Sequence, residues 1–483
     1  MNSPQYGLKT FELRRVRRLL LGGTGFLALF GLFWADNADG FIAYVLITLA
    51  AMLPAVLWLR ANAPGIPILP AVAAFHYLYF AVPILKENLG GHIYGPFEIF
   101  RAGFTVASFL VIAALVWGTS LKSFAWRSDR GGPESLATGQ IRRLVFGGIA
   151  GGIVFQLGVM LDWWAWLGTF FGVWRAIAIT AASIGCYLLG HLRARALLFG
   201  RTWLLALGGV MVMVVASWSS LFLVGGMQYI LSAGLGYVIS AKRLPWRTAI
   251  SLLMLLFILH AGKGEMREHY WVDDAYGRAP GPSRVPALFA EWLSDGITAV
   301  ATGSVKQDVV DRASLLYMLL KVQYLTPDVI PYLGGATYAL LPEYLTPRFL
   351  SADKTFSQAG LALLNLRYGI QTSEGIAYTT IGWGMIAEAF ANFGYIGVFG
   401  AAVVFGLLSA LFTRLSAGAA PLALANLLSV AALVSLTNLE ADFGYLLTNL
   451  WQALVGAALF FVPLKYLSSG AESRTVRAMA ATP

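Results

Sequence analysis

Apolar runs near the roughly 20 residues that a helix needs to cross a hydrocarbon core of about 30 Å recur along the whole chain, separated by polar connections. They fall at 19–35, 41–59, 66–85, 100–121, 144–163, 169–190, 203–224, 226–241, 248–262, 384–412, 421–438 and 443–464. The pattern predicts an all-α polytopic membrane protein of about 12 transmembrane helices, the eighth and ninth being the shortest. One long polar interruption, 263–383, divides the chain. It separates an N-terminal bundle of about nine spans (1–262) from about three C-terminal spans (384–467) and a tail (468–483).

Inside that interruption the periodicity changes. Val285, Leu288, Phe289, Trp292, Leu293, Ile297 and Val300 recur at helical spacing on one face, as in an amphipathic helix lying flat on a membrane surface. Asp308 to Leu325 reads as a second helix, and Pro327, Pro331, Gly334 and Gly335 break the chain after it. Pro342 and Pro347 punctuate the next stretch.

Composition agrees with the pattern. Of 483 residues 58% are hydrophobic and 12% charged, against about a quarter charged in soluble domains, which excludes a soluble domain. A net charge of +10 would suit a nucleic-acid binder, but its placement points elsewhere. With the N-terminus inside, the segments on that same side hold 21 of the 34 Lys and Arg. That is the positive-inside signature; it predicts both termini cytoplasmic, 263–383 external, and no nucleic-acid partner. The external segment carries ten Lys or Arg and twelve Asp or Glu. The basic N-terminus before Leu19 lacks a small-residue cleavage site and reads as the flank of a retained helix. Cys186, the single cysteine, lies in an apolar run, so no intramolecular disulfide forms.

Familiar soluble-enzyme motifs are missing: no Walker-type loop, no HExxH, no Gly-x-Ser-x-Gly, no Asp-x-Asp pair for a metal-bound nucleotide sugar. The five histidines are scattered, which predicts no metal site. What remains are basic residues of the polar segment, Arg267, Arg312, Arg348, Lys354 and Arg367. Guanidinium forks suit phosphate oxygens, although the same residues also suit pairing with the segment's acids or with lipid headgroups. Glu388 stands inside an apolar run, roughly 6 Å below the helix start, where an ionised carboxylate serves a site or pairs with a cation. Asn392 follows one turn later on the same face. Gly394, Gly397 and Gly400 read as close helix packing. Arg175, and Asn438, Glu440 and Asp442 between the last two spans, read as snorkelling or loop positions.

The run Gly334-Gly335-Ala336-Thr337-Tyr338, then Thr346-Pro347-Arg348 and Asp353-Lys354, resembles the glycine-tyrosine, proline-arginine and lysine signposts of bacterial oligosaccharide repeat-unit polymerases, the O-antigen and exopolysaccharide polymerases of the Wzy type. Glu388 to Gly397 is similar to the glutamate and Asn-Phe-Gly segment that opens a later helix in that family. Lys263 to Trp271 and Asp311-Arg312 are similar to its loop arginines. Phe349, Ala352 and Thr355 depart from the family pattern. The resemblance covers 263 to about 410 and is hydropathic elsewhere. It implies a polyprenyl-diphosphate-linked glycan donor, an acceptor repeat unit on a second lipid, and glycosidic bond formation on the outer face of the inner membrane, without a cofactor, nucleotide sugar or metal. A flippase and a chain-length regulator are the further partners it implies, alongside membrane lipids. Arg348 and Arg312 would hold the diphosphate, supported by Arg267, Lys354 and Arg367, with Tyr338, His269 and Asn392 also at the substrate. Glu388 is the first candidate for general base, His269 another, and orienting an arginine is the alternative role for Glu388. A ligase moving finished glycan from the same lipid, or a flippase, remains a competing reading. Transporters, however, place charges at a midplane site between similar halves, whereas here they gather late in the chain.

Overall fold

The computed structural model describes residues 10–35, 37–85, 94–122, 138–273, 281–302, 314–346, 350–351, 358–378, 381–420 and 422–459. Helices account for the architecture: α1 (Thr10–Trp34), α2 (Ala38–Arg60), α3 (Ile68–His76), α4 (Pro96–Lys122), α5 (Thr138–Met160), α6 (Phe171–Ala194), α7 (Gly200–Trp218), α8 (Leu223–Ala241) and α9 (Trp246–Arg267). They are followed by α10 (Val285–Thr302), α11 (Leu315–Leu325), α12 (Ala359–Arg367), α13 (Gly384–Ser416), α14 (Leu424–Leu436) and α15 (Phe443–Leu459). A π-turn, Tyr77–Ala81, and a 3₁₀ turn, Val82–Leu85, prolong α3.

Among the described residues ten helices are long and apolar enough to cross a bilayer: α1 to α9, α3 counted with its extension, and α13. The chain is a multi-pass helical membrane protein. The two shortest sequence runs, now α8 and α9, are full-length candidates. Of the expected eleventh and twelfth spans, α14 has 13 residues and thus a rise of about 20 Å, and α15 begins at the expected Phe443, with 460–464 outside the described residues.

Long-range bonds sort the connections into two ends. At one, Arg267 donates to the Leu221 carbonyl, Tyr79 to Glu440, and the Gly384 amide to the Glu440 carbonyl. At the other, the Ile66 amide donates to Ser416, Arg142 to the Leu197 carbonyl, and Arg414 to the Ser120 carbonyl. This second end is the basic one, carrying Arg60, Arg142, Arg193, Arg195, Lys242 and Arg414 at helix ends or adjoining turns. Helices meet through small residues: a Cβ on Gly190 would press on the Ala233 carbonyl, and one on Gly236 on the Tyr187 carbonyl, so α6 and α8 lie almost backbone to backbone.

Two parts of the polar segment differ from the surface elements read in the sequence. The amphipathic helix exists as α10, but it runs antiparallel along α9. Trp292 donates to the Leu259 carbonyl at 2.7 Å, and Gly262 and Gly296 face each other. Its buried stripe is Leu288, Trp292 and Gly296, while Ile297 and Val300 point outward; packing glycine on glycine won over lying flat. The second expected helix is α11, begun by Ser314, whose hydroxyl accepts the Tyr317 amide. Leu315, Leu316, Met318, Leu319, Leu320 and Val322 are all buried, while Lys321 is half-buried and Tyr324 exposed on the remaining side. α11 lies between α4 and α13: Arg101 donates to the Gln323 carbonyl, Gln323 to Thr105, and Leu315 packs at Gly384. The long polar interruption thus supplies a helix to the core of the bundle.

Candidate functional site at a broken helix

α13 is not one continuous helix. Phe393 (φ −143°, ψ 15°) and Gly394 (φ 62°, ψ −143°) leave helical geometry. Gly394 suits the left-handed φ, and a Cβ there would sit 2.8 Å from the Tyr332 hydroxyl. Carbonyls released by such a break need donors, since lipid offers none. The turn at Leu333 to Tyr338 provides them: the Leu333 amide donates to the Ala391 carbonyl at 3.0 Å and the Gly334 amide to the Asn392 carbonyl at 3.2 Å.

Side chains complete the junction. Asn392 accepts the Gly335 amide through Oδ1 (3.1 Å) and donates through Nδ2 to Thr337 Oγ1 (2.9 Å) and to the Glu388 carbonyl (2.9 Å). Thr337 Oγ1 donates to Glu388 Oε1 at 2.7 Å, and the Phe443 amide donates to Oε2 at 2.6 Å. Glu388 and Asn392 are fully buried. Both carboxylate oxygens therefore have donors, which is the condition for keeping such a group away from water.

A second carboxylate adjoins the first. Asp442, also buried, accepts the Tyr445 amide at 2.7 Å and caps α15; it also accepts the Leu361 amide. Burial raises its proton affinity against these two bonds. Tyr338 covers the pair, with its ring stacked on Phe393 at 6.1 Å and edge-on to Phe443 at 6.0 Å. Burial first, then the charges of Glu388 and Asp442, push the Tyr338 phenol up, so it stays protonated.

Nearby at the same end is a cationic cluster. Lys263 and Arg267, one turn apart on α9, are both within electrostatic reach of Glu440, which accepts Tyr79 Oη at 3.1 Å. Arg267 also lies 4.8 Å over the Phe222 ring. Tyr79 belongs to the π-turn after α3, and Glu268–Asp273, directly after α9, is a second π-turn; such turns recur at functional sites. The connection from Leu439 to Phe443 links both clusters, with Glu440 facing the cations and Asp442 and Phe443 facing Glu388.

Of the residues singled out in the sequence, the structure brings together Glu388, Asn392 and Tyr338 and places Arg267 in the cationic cluster. His269 is exposed, 3.7 Å from Glu291. Arg367 is exposed at the end of α12. Arg348, Arg312 and Lys354 lie outside the described residues. Arg175 donates to Gln452. Glu440 and Asp442, read from sequence as loop positions, are central. An Asp directly before an apolar helix-forming run was the available signal for Asp442. Thr337 stood out only as part of the Gly334 to Tyr338 run, and Tyr79 had no comparable signal, because a hydroxyl in an apolar run is commonplace.

The fold and site define a membrane-embedded helical protein with a carboxylate site at a broken helix and a cationic cluster beside it. Compared with family models, curated proteins and solved structures, the chain matches none.

Proposed function

We propose that this chain polymerises polyprenyl-diphosphate-linked oligosaccharide repeat units into O-antigen or exopolysaccharide, acting as a metal-independent glycosyltransferase of the bacterial inner membrane. One observation carries the reading. The stretches that resemble the polymerase family, Gly334 to Tyr338 and Glu388 to Gly394, are some 50 residues apart in sequence but bonded to one another around the break in α13. Chance matches have no reason to meet in space. Positive-inside bias puts the basic end in the cytoplasm, so the opposite end, with both clusters, faces outward, where lipid-linked repeat units are joined.

In the reaction an acceptor hydroxyl oxygen bonds to the donor's anomeric carbon as the bond from that carbon to phosphate breaks. The hydroxyl proton passes to a base and the polyprenyl diphosphate leaves. Arg267 and Lys263, with Arg312, Arg348 and Lys354, stabilise the charge growing on the leaving group. Glu388 changes role in this reading: with both oxygens accepting bonds it holds the loop in place. His269 takes the base role: it is exposed, its Nδ1 lies 3.7 Å from Glu291 Oε1, and a neutral imidazole can accept the hydroxyl proton.

Deleting the protein and examining surface glycan tests the proposal. Single repeat units on the lipid carrier or cell surface are the expected result. Long unattached polymer would indicate a ligase, inward-facing precursor a flippase, and unchanged glycan length would remove the glycan reading altogether.

A further inference from the structure

The cationic cluster contains a carboxylate that opposes anion binding. Lys263 and Arg267 suit an incoming anion, but Glu440 is held within electrostatic reach of both and repels one. Three contacts fix it there. Tyr79 Oη donates to Oε1 at 3.1 Å, the Gly384 amide donates to the Glu440 carbonyl at 3.4 Å, and a Cβ on Gly382 would lie 2.7 Å from the Glu440 Cβ. Asp442, two residues on, has its charge met by the Tyr445 and Leu361 amides. Among the described residues, by contrast, Tyr79 is the sole hydrogen-bond donor to the Glu440 side chain. The charge of Glu440 is therefore left to act on the cations. It does so without plugging them: among the described residues the half-buried Lys263 ammonium makes no hydrogen bond or direct ion pair, so none of its three donors is taken up by them.

We propose that Glu440 is a fixed counter-charge that governs release of the diphosphate from Lys263 and Arg267, a positioning residue that acts through those cations. The release step rests on the glycosyl-transfer reading above, whereas the charge balance rests on the cluster alone. In that reading the diphosphate gains a negative charge when its bond to the anomeric carbon breaks. Two cations without a counter-charge would then hold the product more tightly than the donor, and slow release limits turnover. A fixed negative charge weakens attraction in proportion to the ligand's own charge. It therefore discriminates most against the product.

The test uses the full chain in nanodiscs of zwitterionic lipid. Inorganic diphosphate is the probe, with its Kd read by titration calorimetry, and turnover is read separately with a lipid-linked oligosaccharide. Glu440→Gln removes the charge and keeps an oxygen for the Tyr79 hydroxyl; Tyr79→Phe keeps the charge and removes the bond. In Glu440→Gln the probe should bind about tenfold tighter and lose affinity more steeply with salt. Its kcat and donor KM should both fall by roughly three- to tenfold. Glu440→Asp, which keeps the charge, should return to within about threefold, Tyr79→Phe should stay within about twofold in affinity, and Lys263→Gln should weaken probe binding. Unchanged or weaker affinity in Glu440→Gln overturns the proposal. So does equal tightening in Tyr79→Phe, which would trace the effect to packing, or probe binding indifferent to Lys263→Gln. An unchanged kcat in Glu440→Gln, or a lower one with KM intact, overturns the release role. Tighter probe binding in a protein whose unmodified form makes no polymer sinks the glycosyl-transfer reading and leaves the counter-charge standing.

Discussion

The two halves of α13 belong to one apolar run in sequence, but their surroundings differ completely. From Gly384 to Asn392 every residue is buried, the carboxylate of Glu388 included. Beyond the break the helix has two sides: Val398, Ala402 and Phe405 are buried, while Ile396 is 82% and Leu407 51% exposed. The second half meets the needs of a span in the ordinary way, with its backbone bonds kept within the helix and apolar side chains turned to lipid. The first half holds a carboxylate and an amide because the chain stops being helical just after them, and a turn fills the gap with donors. The difference teaches that a carboxyl group is accommodated here by supplying hydrogen bonds to it rather than by exposing it to water.

This contrast can be broken in stages. The largest effect is expected from Gly394→Val, which puts a β-branched residue at positive φ and a Cβ against the Tyr332 hydroxyl. It should cost about 3 kcal/mol, seen as a lowered unfolding temperature in detergent; an unchanged one would mean α13 is not broken in the native protein. Glu388→Ala comes next, because it leaves the Thr337 hydroxyl and the Phe443 amide without an acceptor. Its expected cost is about 2 to 3 kcal/mol, with Glu388→Gln milder since one acceptor remains. Asn392→Ala strands the Gly335 amide and should lose about 1 to 3 kcal/mol in the same assay. Ile396→Ala, on the outward side of the second half, should stay within about 0.5 kcal/mol. A large loss there would show that this side is packed against protein instead of lipid.

Much of the scaffold was legible from residue order. The apolar runs became α1 to α9 and α13 because length and hydropathy suffice to place a span. α14 matched less well, since a run bordered by small residues and turns, such as the one after Ser416, does not mark where its helix starts. For α10 the periodicity was readable but its partner was not: the face chosen by hydrophobicity included Ile297 and Val300, whereas contact with α9 selected Gly296. α11 was foreseen as a helix, and its place inside the bundle depends on α4 and α13, distant in sequence.

For the site, residue order by itself determined that Glu388 and Asn392 share a helical face near the start of a span, since that needs only helix geometry. It also determined that the polar residues concentrate late in the chain. Only the tertiary structure decided what answers them: Thr337 and the Phe443 amide on Glu388, the Leu333 to Gly335 amides in the break, and Asp442 beside them. The physical reason is that a buried polar group must be satisfied by whatever donor the fold brings within about 3 Å, and that distance is unrelated to separation along the chain.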